Sequence, residues 1–298
     1  MSKLGRAGYA RPMSFSASFS RPTWLGLGAI ALWSSLAVLT TATAGIPPFQ
    51  VTAITFGIGG LAGLAIIALR GQLSALRQPP AAWALGIYGL FLYHAAYFSA
   101  LKLAPPEEAS MINYLWPLLI VVFSALLPGE KLTLRHFIGA LLGLAGVAVM
   151  AAGRGSLSFS AANATGYGLA FASAVIWASY SVLSRRMAGV PTEAVAGFCL
   201  ATAALAAIAH GLFESWVTPA TPAAWAALIL LGLGPVGAAF FLWDAGMKHG
   251  DIRFLGVASY ATPIISTLLL VLAGAAAATT ALGIACLLIV SGALITRR

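Results

Sequence analysis

The sequence predicts an all-α membrane protein: ten transmembrane helices arranged as two inverted five-helix repeats around a central cavity. Three observations carry that prediction: an apolar composition, ten apolar stretches separated by short polar breaks, and a match of the chain with itself. Hydrophobic residues make up 60% of the 298 and charged residues 8%, with a mean hydropathy of +0.95. A soluble globular domain carries about 25% charged residues. A helix needs roughly 20 apolar residues to cross about 30 Å of hydrocarbon.

The first 22 residues, rich in Ser and Arg, read as a disordered cytoplasmic tail. Residues 23–298 read as a single membrane domain, because no link between spans is long enough for a second one. Span 1 (about 24–42) holds "WLGLGAIALWSSLAVL". With the basic residues before it and Ala42-Thr43-Ala44 after it, this stretch also fits a secretory signal peptide. The self-match opposes that reading. At an offset of 144, Trp33 matches Trp177, Gly45 matches Gly189 and Pro47 matches Pro191. At 146, Lys102 matches Lys248, Tyr114 matches Tyr260 and Pro117 matches Pro263. Span 1 therefore has a counterpart in mid-chain that no signal peptidase removes. The repeats run from about 23 to 153 and from about 165 to 298. Five spans each is an odd number, so the second half enters the membrane inverted. In transporters this design puts the substrate site near the midplane between the halves.

Span 2 (about 50–69) contains "GIGGLAG" and span 5 (about 134–152) "GALLGLAG". Small residues there let helices approach closely. Span 3 (about 81–101) carries "FLYHAAYF", in which Tyr93 and Tyr97, one turn apart, share a face and His94 lies three residues from Tyr97. His94 is placed on the cavity in preference to simple packing, because an ionisable group in hydrocarbon is costly. Trp83, at the start of this span, is assigned to the interfacial aromatic belt. Span 4 (about 108–127) brings "NYLWP" into an apolar run. Pro117 removes a backbone hydrogen bond and frees a carbonyl near Asn113. Such breaks are tolerated beside protein or an aqueous cavity. Glu107 and Glu108 suit the start of this span through the helix dipole.

Spans 6 (about 166–184) and 7 (about 192–213) follow, and span 8 (about 222–246) ends in "FFLWDAGMKHGD". Asp244 and Lys248 form an i,i+4 pair, read as structural or gating rather than as a coupling site. Span 9 (about 253–273) holds "SYATP", which repeats the Tyr and Pro of span 4, and span 10 (about 279–296) closes the chain. Pro117 and Pro263 thus read as matched kinks of an alternating-access machine, flanking the midplane.

The net charge of +9 reports orientation, and no nucleic-acid partner is expected. Fourteen Lys and Arg lie on one side of the spans, and only Lys102 and Arg154 on the other. By the positive-inside rule both termini are cytoplasmic. No nucleotide-binding loop, metal-spaced cluster, nucleophile elbow or cofactor motif occurs, so no catalytic or metal site and no cofactor are expected. Cys199 and Cys286 read as small packing residues.

From about Trp24 to Arg298 the chain resembles the drug/metabolite transporter superfamily, in its ten-span, two-repeat exporter branch. The stretches "EEASMINYLWPLLIVVF", "WDAGMKHGD" and "VASYATPIIS" look like those of aromatic amino acid exporters of bacterial inner membranes. The resemblance implies a basket of helices lined by Tyr93, His94, Tyr97, Tyr114, Trp116 and Trp177. To these the reading of the residues adds Asn113 and Tyr260 as substrate-binding candidates. The expected function is export of amino acids, aromatic ones first, through the inner membrane. Nucleosides, other amino acids or proton-coupled drug efflux are the alternatives. The resemblance also brings an acidic residue before the fifth span of each repeat. Glu130 supplies it once, and the second half has none. The expected partners are a small-molecule substrate and the lipid bilayer; the oligomeric state is left open, a monomer being sufficient.

Overall fold

The computed structural model describes residues 19–153 and 157–297. Most of the expected tail, together with Arg154 and Arg298 of the charge count, lies outside the described residues. Phe19 and Ser20 lead directly into a helix that begins at Arg21, so residues 19–22 belong to the folded body rather than to a tail. Phe19 is held by Trp24 and Phe254, with the Arg297 guanidinium over its ring.

Among the described residues the structure is all-α, and nine helices have the length and apolarity of a membrane span: Arg21–Thr41, Pro48–Leu69, Pro80–Leu103, Leu134–Ala152, Ala161–Arg186, Thr192–Phe213, Pro222–His249, Ile252–Leu272 and Thr280–Arg297. The tenth, span 4, is split into Pro106–Asn113 and Trp116–Ser124. Prolines open many of these helices, at positions whose amides have no intrahelical acceptor in any case.

The break in span 4 falls at Tyr114 and Leu115, just before Pro117. Pro117 is the second residue of the new half-helix, where its missing N–H costs nothing. Span 9 breaks in the same way at Ser259, between Ile252–Ala258 and Ala261–Leu272, with Pro263 in the first turn of its second half. Spans 3 and 8 carry a matched irregularity of another kind. Each contains one five-residue π-helical turn, Tyr88–Leu92 and Gly234–Ala238, related by the same offset of 146. Single π turns inside α-helices occur frequently at functional sites. The turns that precede spans 5 and 10 correspond too: Gly129 and Gly274 both take a left-handed φ, 81° and 70°.

Helix pairing follows the repeat. Spans 2 and 7 pack on each other, as do spans 5 and 10; span 1 packs on span 8, and its repeat mate, span 6, on span 3. Glycines permit these approaches. A Cβ on Gly59 of span 2 would stand 2.7 Å from both the Gly232 oxygen and the Gly237 Cα of span 8. One on Gly139 of span 5 would stand 2.7 Å from the Gly292 oxygen of span 10. Trp83 departs from its assignment to the belt: it packs edge-on against Phe198 at 5.3 Å and over Gly197, joining span 3 to span 7.

Candidate functional site

The two halves enclose a cavity of about 470 Å³. Its lining runs from Trp33 and Trp177 near mid-span to Thr40, one residue from the end of span 1. The cavity thus occupies the half of the bundle away from the face where span 1 begins. That starting face is called here the N-terminal face.

Seven of the eight predicted substrate residues line the cavity: Tyr93, His94, Tyr97, Asn113, Tyr114, Trp116 and Trp177. The π turn of span 3 ends at Leu92, and Tyr93, His94 and Tyr97 follow it immediately. His94 Nδ1 donates to the Leu90 carbonyl at 2.6 Å, inside that turn. A carbonyl only accepts, so the ring proton sits on Nδ1, and in the neutral ring Nε2 is an acceptor. Phe56, Tyr93, Phe98 and Phe240 surround the imidazole at centroid distances of 5.0 to 6.3 Å. Tyr93 and Tyr97 stack at 6.0 Å. Asn113 lines the wall but works from behind it. Its amide donates to the Tyr93 hydroxyl at 3.3 Å, and its carbonyl accepts from Ser173 of span 6 at 2.8 Å. It is therefore a positioning residue for Tyr93.

Tyr260 does not reach the cavity. It is fully buried against Gly143 of span 5, and its hydroxyl accepts the Leu118 N–H at 3.2 Å. The broken span 4 explains this: Leu118 is in the first turn of the second half-helix, where amides lack an intrahelical acceptor. Tyr260 supplies that acceptor from the other repeat.

Among the lining residues that were not predicted as site residues are Trp33, Phe56, Phe240 and Thr262. Three of them are repeat mates of predicted ones, Trp33 of Trp177, Phe240 of His94 and Thr262 of Trp116. Applying the offset to the site itself would have found them. Trp33 and Trp177 meet in space at 5.6 Å, on the pseudo-two-fold axis. With Trp116 and Trp243 they form a buried floor of four indoles, with centroids 5.0 to 6.3 Å apart. Trp33 Nε1 donates to the Pro235 carbonyl in the π turn of span 8 at 2.9 Å, and Trp243 Nε1 to Ser181 at 3.1 Å.

Beneath this floor the N-terminal face is closed by two polar tiers. Lys248 Nζ lies 2.8 Å from Asp244 Oδ2, both side chains being 3% exposed. The ammonium also donates to the Val190 carbonyl at 2.8 Å, and Thr192 Oγ1 donates to Asp244 at 2.6 Å. The pair thus clamps span 8 to the link between spans 6 and 7 and to the first residue of span 7. Outside it, Glu130 binds Arg185 at 3.1 Å and Arg253 at 3.3 Å, tying the link between spans 4 and 5 of repeat one to two elements of repeat two. Arg185 further donates to the Met247 and Gly250 carbonyls at 3.1 and 2.7 Å.

Chemically the cavity offers aromatic faces plus a few polar atoms. The Thr262 hydroxyl is buried there without a hydrogen bond among the described residues. Trp116 and Trp177 present indoles, and His94 presents Nε2. No Asp or Glu lines the cavity, and among the described residues no group of three His, Cys, Asp or Glu is placed to hold a metal ion. Cys199 and Cys286 are free thiols, the first fully buried.

Two inverted five-span halves round a cavity, open toward one face and sealed toward the other, define a two-repeat membrane transporter. The chain belongs to the EamA-like transporter family, which it matches over residues 21–152 and 164–298. It is 59% identical over 278 residues to the aromatic amino acid exporter YddG of Ancylobacter novellus, covering 93% of this chain and 96% of that one. The protein of the same name from Escherichia coli is 28% identical over 265 residues, 84% of this chain and 87% of that one. The pseudopaline exporter CntI of Pseudomonas aeruginosa is 26% identical over 225 residues, 75% and 77% of the two chains. A solved crystal structure superposes with a TM-score of 0.91 at 58% identity, covering 93% of this chain and 96% of that chain.

Proposed function

We propose that the protein exports amino acids, aromatic ones first, across the bacterial inner membrane by alternating access. The observation that carries this is the cavity itself: planar aromatic walls around a small set of neutral hydrogen-bonding atoms, at the meeting point of the repeats. Aromatic faces suit a planar side chain. The carboxylate of a zwitterion finds indole N–H donors at Trp116 and Trp177, and its ammonium finds acceptors at His94 Nε2 and Thr262 Oγ1. The likeness to exporters named for aromatic amino acids supports the same substrate class.

In this reading the whole of 23–298 is one transporter unit, with halves 23–153 and 165–298. Its N-terminal face is cytoplasmic, in line with Arg70, Arg77, Lys131, Arg135, Arg185, Arg186 and Arg253 at that face. The cavity is then caught facing outward, with the Asp244–Lys248 pair and the Glu130 bridges holding the inner gate shut. Proton-coupled efflux of cations needs a membrane-embedded carboxylate in the pathway, and the cavity has none. Transport is therefore facilitated diffusion down the solute gradient. Uptake of labelled tryptophan, phenylalanine, lysine and a nucleoside into liposomes holding the purified protein tests this. Equilibration of the first two, unchanged by an imposed pH gradient, is expected. Concentration of solute by the gradient would refute the drive, and preference for the nucleoside would refute the substrate class.

A further inference from the structure

Beside the main cavity lies a second one of about 240 Å³, between the first half of span 4, the end of span 5 and Pro263 of span 9. Tyr114 lines both cavities. A hydroxyl pair spans the same partition: Tyr97 lines the main cavity, Ser110 lines the side cavity, and their oxygens are 2.9 Å apart. The side cavity therefore adjoins the main one on the half of the bundle toward which the latter opens.

Its chemistry differs from that of the main cavity in one respect. It contains a carboxylate, Glu107, which is exposed and has no hydrogen bond or ion pair among the described residues. Five other acidic side chains are engaged: Glu108 by Ser158 and Tyr167, Glu130 by two arginines, Glu214 by the Phe49 and Gln50 amides, His210 and Lys102, Asp244 by Lys248, and Asp251 by the Phe254 amide. The remaining one, Glu193, stands at the N-terminal face. The helix dipole explains an acidic residue at the start of span 4. It does not explain a cavity below that residue walled by Met111 and Met150, whose thioethers make favourable contacts with aromatic rings.

We propose that this side cavity is a second station on the exit route, binding an aromatic primary ammonium: Glu107 takes the ammonium, and Met111, Met150 and Pro263 receive the ring. The station rests on the export reading, since it supplies beside the exit a carboxylate that the acid-free main cavity lacks.

The test uses two inhibitors of tryptophan exchange in liposomes holding the full-length protein. Tryptamine has the ammonium without the carboxylate, and indole-3-propionate has the carboxylate without the ammonium. Glu107→Gln should raise the tryptamine concentration for half-inhibition about tenfold, the order expected for one charge-assisted hydrogen bond, and leave indole-3-propionate within about twofold. Met150→Trp, which fills the cavity and keeps the charge, should give the same loss for tryptamine. Glu193→Gln should change neither. Equal tryptamine inhibition in wild type and Glu107→Gln, or an equal shift in Glu193→Gln, overturns the station. If the wild type carries no tryptophan, the export reading fails by itself. Binding of labelled tryptamine to the purified protein then decides the site: weakening by Glu107→Gln supports it, and equal binding overturns it.

Discussion

Replacing Lys248 by alanine is expected to cost about 3–5 kcal/mol of stability, because it strands Asp244 as an uncompensated charge in a buried site. Asp244 is 3% exposed, and its remaining partner would be the Thr192 hydroxyl alone. Thermal unfolding of the purified protein in detergent should show the loss, and membrane abundance should fall with it. The double variant Asp244→Leu/Lys248→Met should recover most of the stability, since apolar side chains of similar volume replace a buried pair at little cost. If the pair is also the inner gate, that double variant folds yet transports differently from wild type. An alanine at 248 that unfolds like wild type would mean that the site is wet and the pair weak.

The second large effect is expected in transport. Trp116→Ala removes one of the four indoles of the cavity floor, and with it stacking worth about 0.5–1.5 kcal/mol beyond simple burial. Transport of aromatic amino acids per inserted molecule should drop by up to about tenfold, while Trp116→Phe keeps most of it. Trp83 is unsuited as a control because it joins spans 3 and 7. Trp225, 43% exposed on span 8, is the better interfacial tryptophan. Trp225→Ala should transport as wild type does. Equal transport by Trp116→Ala and Trp225→Ala would remove Trp116 from the pathway.

The ten spans and their inverted repeat were legible because hydrocarbon imposes a length and an apolarity that short polar links interrupt. The break in span 4 was legible because Pro117 cannot continue the helix above it. The side chains around that break were less so. Tyr260 carries the same sequence signal as Tyr114, yet one lines the cavity and the other caps Leu118 from behind. Which side of a half-helix faces the cavity is settled by packing across the repeats, and neither residue's neighbours in sequence report it. The π turn of span 8 coincides with "GPVGA", where a proline disturbs the ladder, but that of span 3 falls on "YGLFL", which has no such mark. Symmetry was the unused signal there, as it was for Trp33, Phe240 and Thr262. Glu107 was read through the helix dipole alone, since the cavity beneath it depends on spans 5 and 9, far along the chain.

The central claim is that aromatic amino acids pass through the main cavity, and thiol protection in intact cells tests it most directly. Ala37 lines that cavity in the half away from the N-terminal face. An Ala37→Cys variant, with Cys199 and Cys286 replaced by alanine, can be treated with a membrane-impermeant maleimide from outside the cell. The account predicts rapid labelling that tryptophan and phenylalanine slow and that lysine and a nucleoside leave unchanged. Labelling unaffected by aromatic amino acids, in a variant that still transports them, would contradict it.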